Sequence, residues 1–400
     1  MTAWLECIAC HRRHGTGENR FECDCGGLLS VERERLDLDR ATVEGRRSSR
    51  AAVDRSGVWR FREAILDVPE DLIVTHPEGG TTLYERLGVL FKHEGENPTG
   101  SFKDRGMTVA ITQAVRLGAR AVACASTGNT SASLAAYAAQ AGLDALVFIP
   151  AGKVAMGKLA QTLAYGAKCL QVRGGFDDAM RLVREAASEL GIYLVNSINP
   201  FRIEGQKTIV WELLEDLEWV APDWIVVPAG NLGNTSAFGK ALREAHAAGW
   251  IDRIPRLVAV QAEGANPFYR GFADGFRERH HLTPETVATA IRIGDPVSWD
   301  RAVASIRDTN GIVEQVSDAE LMAAKREIDR SGIGCEPASA VTLAGVHRLR
   351  SRGIIEKNDR VVCVLTGNLL KDPDAILKTI PPDQLIEIDP DLASVERALR

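Results

Sequence analysis

The stretch ENPTGSFKDRG, Glu96 to Gly106, sets one lysine, Lys103, beside Phe102 and between a Gly-Ser pair and an Asp-Arg pair. Asn97-Pro98-Thr99-Gly100 reads as a turn, Ser101 as the N-cap of a helix, and Lys103 as a residue of that helix's first turn. A cation is unfavourable there, because the positive end of the helix dipole lies beside it. That field, with partial burial against Phe102, favours a neutral amine, the form that attacks a carbonyl carbon. A lysine taken alone is more often a solvated surface charge, so the reading depends on what surrounds it. Arg105 reads as a structural partner of Asp104 or as a contact between lobes.

Three further stretches share one local design. AVACASTGNTSAS, WIVVPAGNLGNTSA and RVVCVLTGNLLKD each pass from an apolar strand through a small residue into Gly-Asn. In open α/β sheets the carboxyl edge of the strands is where ligands bind. Glycine admits close backbone approach, asparagine brings a neutral two-way hydrogen-bonding group, and a following helix offers unpaired N–H groups. The densest loop, Gly230-Asn231-Leu232-Gly233-Asn234-Thr235-Ser236, fits a phosphate cradle without a basic side chain. No G-x-G-x-x-G follows the first strand, which disfavours a nicotinamide enzyme. A neutralised lysine, a phosphate cradle and several neutral polar loops point to a phosphorylated aldehyde held as a Schiff base, and pyridoxal 5'-phosphate is the common one.

The elements that must position these residues follow from the patterning. Short apolar runs alternate with helix-period segments from residue 87 onward, the signature of an α/β fold with largely parallel sheets. Strands are expected at Ala121–Ala125, Ala145–Ile149, Lys168–Val172, Trp224–Val227, Arg256–Gln261 and Arg360–Leu365, with helices such as Ser131–Ala141 and Asp177–Leu190 between them. The charged segment 28–75 reads as a linker followed by surface helices. A chain of 400 residues is long for one core, so two lobes are expected.

The formal net charge of −6 gives no electrostatic reason to expect nucleic acid or an anionic membrane as partner. The basic runs Arg46–Arg50 and Arg348–Arg352 are short and read as solvated faces. Neither a signal-peptide core nor a membrane-length apolar run is found, which makes a cytoplasmic protein the expectation. Of eight cysteines, Cys124, Cys169, Cys335 and Cys363 are scattered through apolar runs as core residues. Cys7, Cys10, Cys23 and Cys25, spaced C-x2-C-x12-C-x-C, suit a structural zinc ribbon, or one that has lost its metal, better than disulfides in a reducing compartment. Four incidental thiols are the alternative.

NPTGSFKDRG, STGNTSASLAAYAA, PAGKVAMGKLAQTLAYGA, NSINPFRIEGQKT, PAGNLGNTSA, CEPASA and LTGNLLKDP occur in the order found in the threonine synthases, and over about residues 75–375 the chain resembles this family of fold-type II, tryptophan-synthase-β-like pyridoxal phosphate (PLP) enzymes. The cysteine leader also looks like the amino-terminal ribbon of many members. The resemblance implies a two-lobed α/β fold with parallel-sheet cores and a small zinc-ribbon-like segment. Its expected layout is a ribbon at 1–40, a large PLP-binding domain at 41–97 and 193–385, a small domain inserted at 98–192, and a tail at 386–400.

The implied activity is that of a carbon–oxygen lyase acting on a phosphorylated amino acid, O-phospho-L-homoserine plus water to L-threonine plus phosphate. Lys103 would form the Schiff base beside Phe102, Asn129 would bond the cofactor's phenolic oxygen, and Gly230, Asn231, Leu232, Gly233 and Asn234 would hold its phosphate. Thr366 would face the pyridine nitrogen. The substrate carboxylate would sit on Ser126, Thr127, Gly128 and Thr130, and the substrate phosphate would meet Lys158, Asn196, Ser197 and Arg202. The family also implies a homodimer.

Serine and threonine dehydratases usually have Gly-Asn-His where Gly128-Asn129-Thr130 stands, and cysteine synthases lack the Asn199-to-Arg202 pattern. A cysteate-synthase-type β-replacement enzyme lies closer. One departure is Asn368-Leu369, where the family usually has His-Gly, and Glu336 in CEPASA reads equally as a site residue or a helix-start acid.

Overall fold

A computed structural model describes residues 3–152, 156–377 and 384–398. The first sheet is antiparallel, with strands β1 (Trp4–Cys7), β2 (Arg13–Gly15) and β3 (Leu29–Glu32) in the order β2-β1-β3. Its period-two pattern turns Leu5, Cys7, Leu29 and Val31 inward, and the register pairs Leu5 with Val31 and Cys7 with Leu29. Helices α1 (Arg40–Arg47), capped by Asp39, and α2 (Ala52–Arg55) follow. The expectation of a linker with surface helices over 28–75 is corrected in part. Val58, Trp59, Phe61, Ala64 and Ile65 have no exposed surface, and Phe61 packs 5.4 Å from Trp211 between ring centroids. Arginines and glutamates flanking WRFREAI conceal a core segment.

A second sheet contains β4 (Leu83–Arg86) and β5 (Val89–His93), and the chain then enters helix α3 (Lys103–Arg116). A third sheet is built from β6 (Ala121–Ala125), α4 (Asn129–Ala141), β7 (Asp144–Pro150), α5 (Met156–Ala164), β8 (Lys168–Val172), α6 (Phe176–Leu190) and β9 (Tyr193–Leu194), in the parallel order β8-β7-β6-β9. Helices α7 (Pro200–Gln206) and α8 (Thr208–Asp216) lead back to the second sheet through β10 (Trp224–Pro228), α9 (Gly233–Ala247) and β11 (Arg256–Ala262). It is completed by α10 (Pro267–Ala273), α11 (Trp299–Asp308), β12 (Ile312–Val316), α12 (Asp318–Arg330), α13 (Pro337–Ser351) and β13 (Val361–Leu365). Its order is β12-β11-β10-β13-β5-β4, parallel except for the β4–β5 hairpin. All six expected strands form, with ends moved by one residue at most. The two-residue β9, and β5 with its internal Lys92, escape sequence reading because neither presents a long apolar run.

A buried charge cluster ties α3 to its surroundings. Arg105 donates from Nε to Glu94 Oε2 at 2.7 Å and from Nη2 to Glu212 Oε1 at 2.8 Å. Asp104 is not its partner, and instead accepts from Thr99 N–H at 2.7 Å, Thr99 Oγ1 at 2.6 Å and Ser133 Oγ at 2.6 Å. Of the two readings of Arg105, the partnership with Asp104 is therefore overturned, and its carboxylate partners are Glu94 and, on α8, Glu212. The cysteine ribbon is anchored in a similar way, through Arg33 Nη1 to Glu204 Oε2 at 2.8 Å and Gln113 Nε2 to the Thr16 carbonyl at 2.6 Å.

Candidate active site

Lys103 owes its position to a backbone splice. Phe102 N–H donates to the Thr366 carbonyl at 3.0 Å, Asn368 N–H to the Gly100 carbonyl at 2.9 Å, and Ser101 bridges Gly367. The loop after β13 thus holds the turn before α3. Ser101 keeps the capping bond expected of it, its hydroxyl accepting from Lys103 N–H at 3.4 Å, while Phe102, with helical dihedrals and no side-chain cap bond, directly precedes α3. Gly367 must be glycine, since a Cβ there would stand 2.4 Å from Glu336 Cδ.

Lys103 is half-buried, with Nζ 4.0 Å from the centre of the Phe102 ring. Among the described residues Nζ has no hydrogen bond or ion pair. Burial lowers its pKa to about 7, the charge of Arg202 adds to that, and Glu336 opposes it. An amine of this kind is an available nucleophile near neutral pH.

Around it the three Gly-Asn loops take distinct roles. After β6, residues Ser126, Thr127, Gly128, Asn129 and Thr130 are each half-buried, and α4 starts at Asn129 with no side-chain cap. Its free N–H groups suit an anion such as a carboxylate. Asn129 Nδ2 donates to Glu336 Oε2 at 2.9 Å. After β13, Thr366 lies 3.0 Å from Ser339 Oγ and 3.2 Å from Glu336 Oε1. Glu336 is buried and joins two of the loops, a place that fits the site-residue reading and the helix-start reading together. It occupies the cap position of α13 without a capping bond.

After β10, the strand next to β13, Leu232 adopts φ +63° and α9 begins at Gly233 uncapped. Asn234 Oδ1 and Thr235 Oγ1 are buried without hydrogen-bond partners. A Cβ at Gly230 would come within 3.0 Å of Ile291 Cα. Asn231 Oδ1 accepts from Val297 N–H at 3.3 Å, which fixes the loop. Uncapped helix N–H groups beside an unpartnered hydroxyl fit a phosphate, so the residues present suit PLP.

The residues expected at the substrate phosphate divide. Arg202 is buried, donates to the Val195 carbonyl at 3.0 Å, leaves Nε unpartnered, and has no carboxylate partner among the described residues. Burial lowers it to about 10. A buried guanidinium without a counter-charge is costly and is well matched to an anionic ligand. Asn196 exchanges hydrogen bonds with the backbone of Ala125 on both sides of its amide, at 3.0 and 3.1 Å, so it pins the end of β6 where the first loop starts. Ser197 is half-buried, and Lys158 belongs to α5 with its side chain outside the described residues.

Sequence reading placed Thr235 in the phosphate-cradle loop and missed Lys371. The half-buried Lys371 donates to Gln161 Oε1 at 2.6 Å, and burial lowers its pKa against the pull of Asp104 and Glu336. The departure at Asn368-Leu369 has a backbone explanation. Asn368 Oδ1 accepts from Leu370 N–H at 2.9 Å, and Leu369 packs against Gly334.

Away from this site, Cys7, Cys10, Cys23 and Cys25 gather their sulfurs within 4.8 Å of one another, with separations of 3.4 Å for Cys10–Cys25, 3.5 Å for Cys7–Cys25 and 3.6 Å for Cys10–Cys23. None forms a disulfide. Four thiolates about 2.3 Å from a tetrahedral zinc stand roughly 3.8 Å apart, so the cluster fits the metal. Gly27 leaves it room, since a Cβ there would reach 2.6 Å from Cys7 Sγ.

Residues 74–367 match the family described as pyridoxal-phosphate dependent enzyme. The chain is 45% identical to a threonine synthase of Methanocaldococcus jannaschii over 98% of both chains, and 44% identical to one of Methanosarcina acetivorans over 97% of this chain and 96% of that one. The solved threonine synthase from Escherichia coli shares the fold, with a TM-score of 0.74 at 18% identity over 99% of this chain and 94% of that one.

Proposed function

The chain belongs to the threonine synthase family of pyridoxal-phosphate dependent enzymes, and from that premise we propose how its residues turn O-phospho-L-homoserine and water into L-threonine and phosphate. The observation that carries the reading is the unpartnered amine of Lys103, lowered to about 7 and joined to the edge where three Gly-Asn loops converge. Bound PLP supplies the electron sink that stabilises negative charge on the substrate's carbons. Lys103 would hold the cofactor and, as a free amine, would move protons at the substrate's α- and β-carbons. The N-terminus of α9, with Gly230 to Asn234, holds the cofactor phosphate, and Asn129 and Thr366 orient the ring. The N-terminus of α4, with Ser126 to Thr130, takes the substrate carboxylate. Arg202, with Lys158 and Ser197, binds the leaving phosphate, while Asn196 fixes β6 beneath them.

Phosphate departs from the γ-carbon and water adds at the β-carbon, so water must be kept out until the second event. Movement of segment 98–192 against 41–97 and 193–385 would provide that closure. A cytoplasmic homodimer is part of the same reading, on family membership. No helix among the described residues is long and apolar enough to cross a membrane.

The test is phosphate release by the PLP-loaded protein given O-phospho-L-homoserine, with amino-acid products identified. Stoichiometric threonine is expected. A coloured protein that releases no phosphate would reject the substrate, leaving a β-replacement or dehydratase activity to be sought with phosphoserine and related amino acids.

The cysteine cluster is proposed to hold a structural zinc. The purified protein should contain about one zinc per chain, and a chelator combined with a thiol reagent should release it with a fall in melting temperature. Metal-free protein with four freely titrating thiols and an unchanged melting temperature would refute this.

A further inference from the structure

We propose that Glu336 is a positioning residue carrying a proton in the resting site, and that this proton turns the hydroxyl hydrogen of Thr366 toward the cofactor's ring nitrogen. The inference rests on the site reading above and follows from counting hydrogens. Ser339 Oγ accepts from Thr366 N–H at 2.8 Å and Gly367 N–H at 3.2 Å, which occupies both of its lone pairs. Its own hydrogen must therefore go to Thr366 Oγ1, 3.0 Å away. Thr366 Oγ1 also lies 3.2 Å from Glu336 Oε1, and two arrangements remain.

If Glu336 is ionised, Thr366 gives its hydrogen to the carboxylate and turns only a lone pair to the site, which suits a protonated ring nitrogen. If Glu336 is protonated on Oε1, the carboxyl donates to Thr366. The threonine then accepts twice and its hydrogen is free for an unprotonated ring nitrogen. Asn129 Nδ2 donates to Glu336 Oε2 at 2.9 Å in both cases, so it does not discriminate.

The surroundings select the neutral carboxyl. Glu336 is 4% exposed, with the backbone of Gly367 packed on its head group. The cations facing it are Lys103 from α3 and Lys371 from the turn after β13, and neither forms an ion pair with it. Lys103 is itself held near neutrality, and Lys371 donates to Gln161. Burial raises the Glu336 carboxyl despite the hydrogen bonds of Asn129 and Thr366 and the two lysines. Three uncharged groups, Ser339, Glu336 and Thr366, thereby form one directional relay ending at the ring.

The experiment uses holoenzyme reconstituted with PLP carrying the heavy nitrogen isotope in its ring. The nitrogen chemical shift should be that of an unprotonated pyridine. The infrared spectrum should show a buried carboxylic acid band that disappears in Glu336→Gln. Glutamine reproduces the neutral carboxyl, donating to Thr366 and accepting from Asn129, so the nitrogen shift should stay in place in that variant. A pyridinium shift in the unmutated holoenzyme, or no carboxylic acid band, overturns the inference even where Glu336→Gln does not fold. Failure to take up PLP on Lys103 would overturn the site reading itself, whereas uptake on Lys103 with an ionised Glu336 would overturn only this step.

Discussion

Lys103→Ala is expected to abolish the visible absorption of the PLP Schiff base and to lower turnover about a thousandfold or more, since one substitution removes both the covalent anchor and the proton carrier. Among the described residues, the other amine beside Glu336, Lys371, is engaged by Gln161 at 2.6 Å. Before cofactor loading, the unmutated protein should take up the aldehyde with a rate that is half-maximal near pH 7, the value to which burial and Arg202 bring the amine. The neutral form is the nucleophile, so uptake should slow as pH falls below that point and level off above it. An absorbance titration and stopped-flow reconstitution measure both effects. A coloured, active Lys103→Ala protein would remove the basis of the proposed function, and uptake that accelerates up to strongly alkaline pH would show an ordinary exposed lysine.

The second large effect is structural and centres on Glu212 of α8, which holds Arg105, two residues after Lys103 on α3. Glu212→Ala is expected to cost about 3–5 kcal/mol of stability, because it removes a counter-charge that three buried cations share and leaves each with a single carboxylate, Glu94, Asp216 or Glu215. Glu212 accepts from Arg105 at 2.8 Å, Lys92 at 2.7 Å and Arg60 at 2.9 Å, and also from the N–H groups of Gly80 at 2.8 Å and Thr81 at 3.1 Å. Burial alone would raise its carboxyl, but the charges of Arg105, Lys92 and Arg60 hold it well below the usual range. Urea unfolding of the cofactor-free variant reads the loss, and a change of less than about 1 kcal/mol would show that the cluster relaxes around the gap. Since Arg105 follows Lys103 on α3, the variant that survives should also load cofactor more slowly than the unmutated protein.

Much of this was legible in the chain itself. The lysine sits in a local context of turn, helix start and aromatic neighbour, and strand followed by Gly-Asn is a pattern contained within about a dozen residues. Such features depend on neighbours in sequence, and the six expected strands and the Lys103 helix form accordingly. Where the reading failed, a distant segment had claimed the residue. The charged stretch after residue 50 folded Trp59 and Phe61 inward, and Asp104, one of the two expected partners of Arg105, gave way to Glu94 and Glu212.

Composition, periodicity and short motifs determined the α/β class and six of the strands and singled out Lys103 and PLP, because each is set by local backbone preference and by the functional groups a short segment carries. Tertiary structure alone decided which loops share an edge and which groups exchange hydrogens. The bond from Asn129 to Glu336 spans 207 residues, and that from Thr366 to Glu336 spans 30. Closing such separations takes the packing of whole sheets and helices, and the energy of a buried carboxyl depends on what that packing brings beside it.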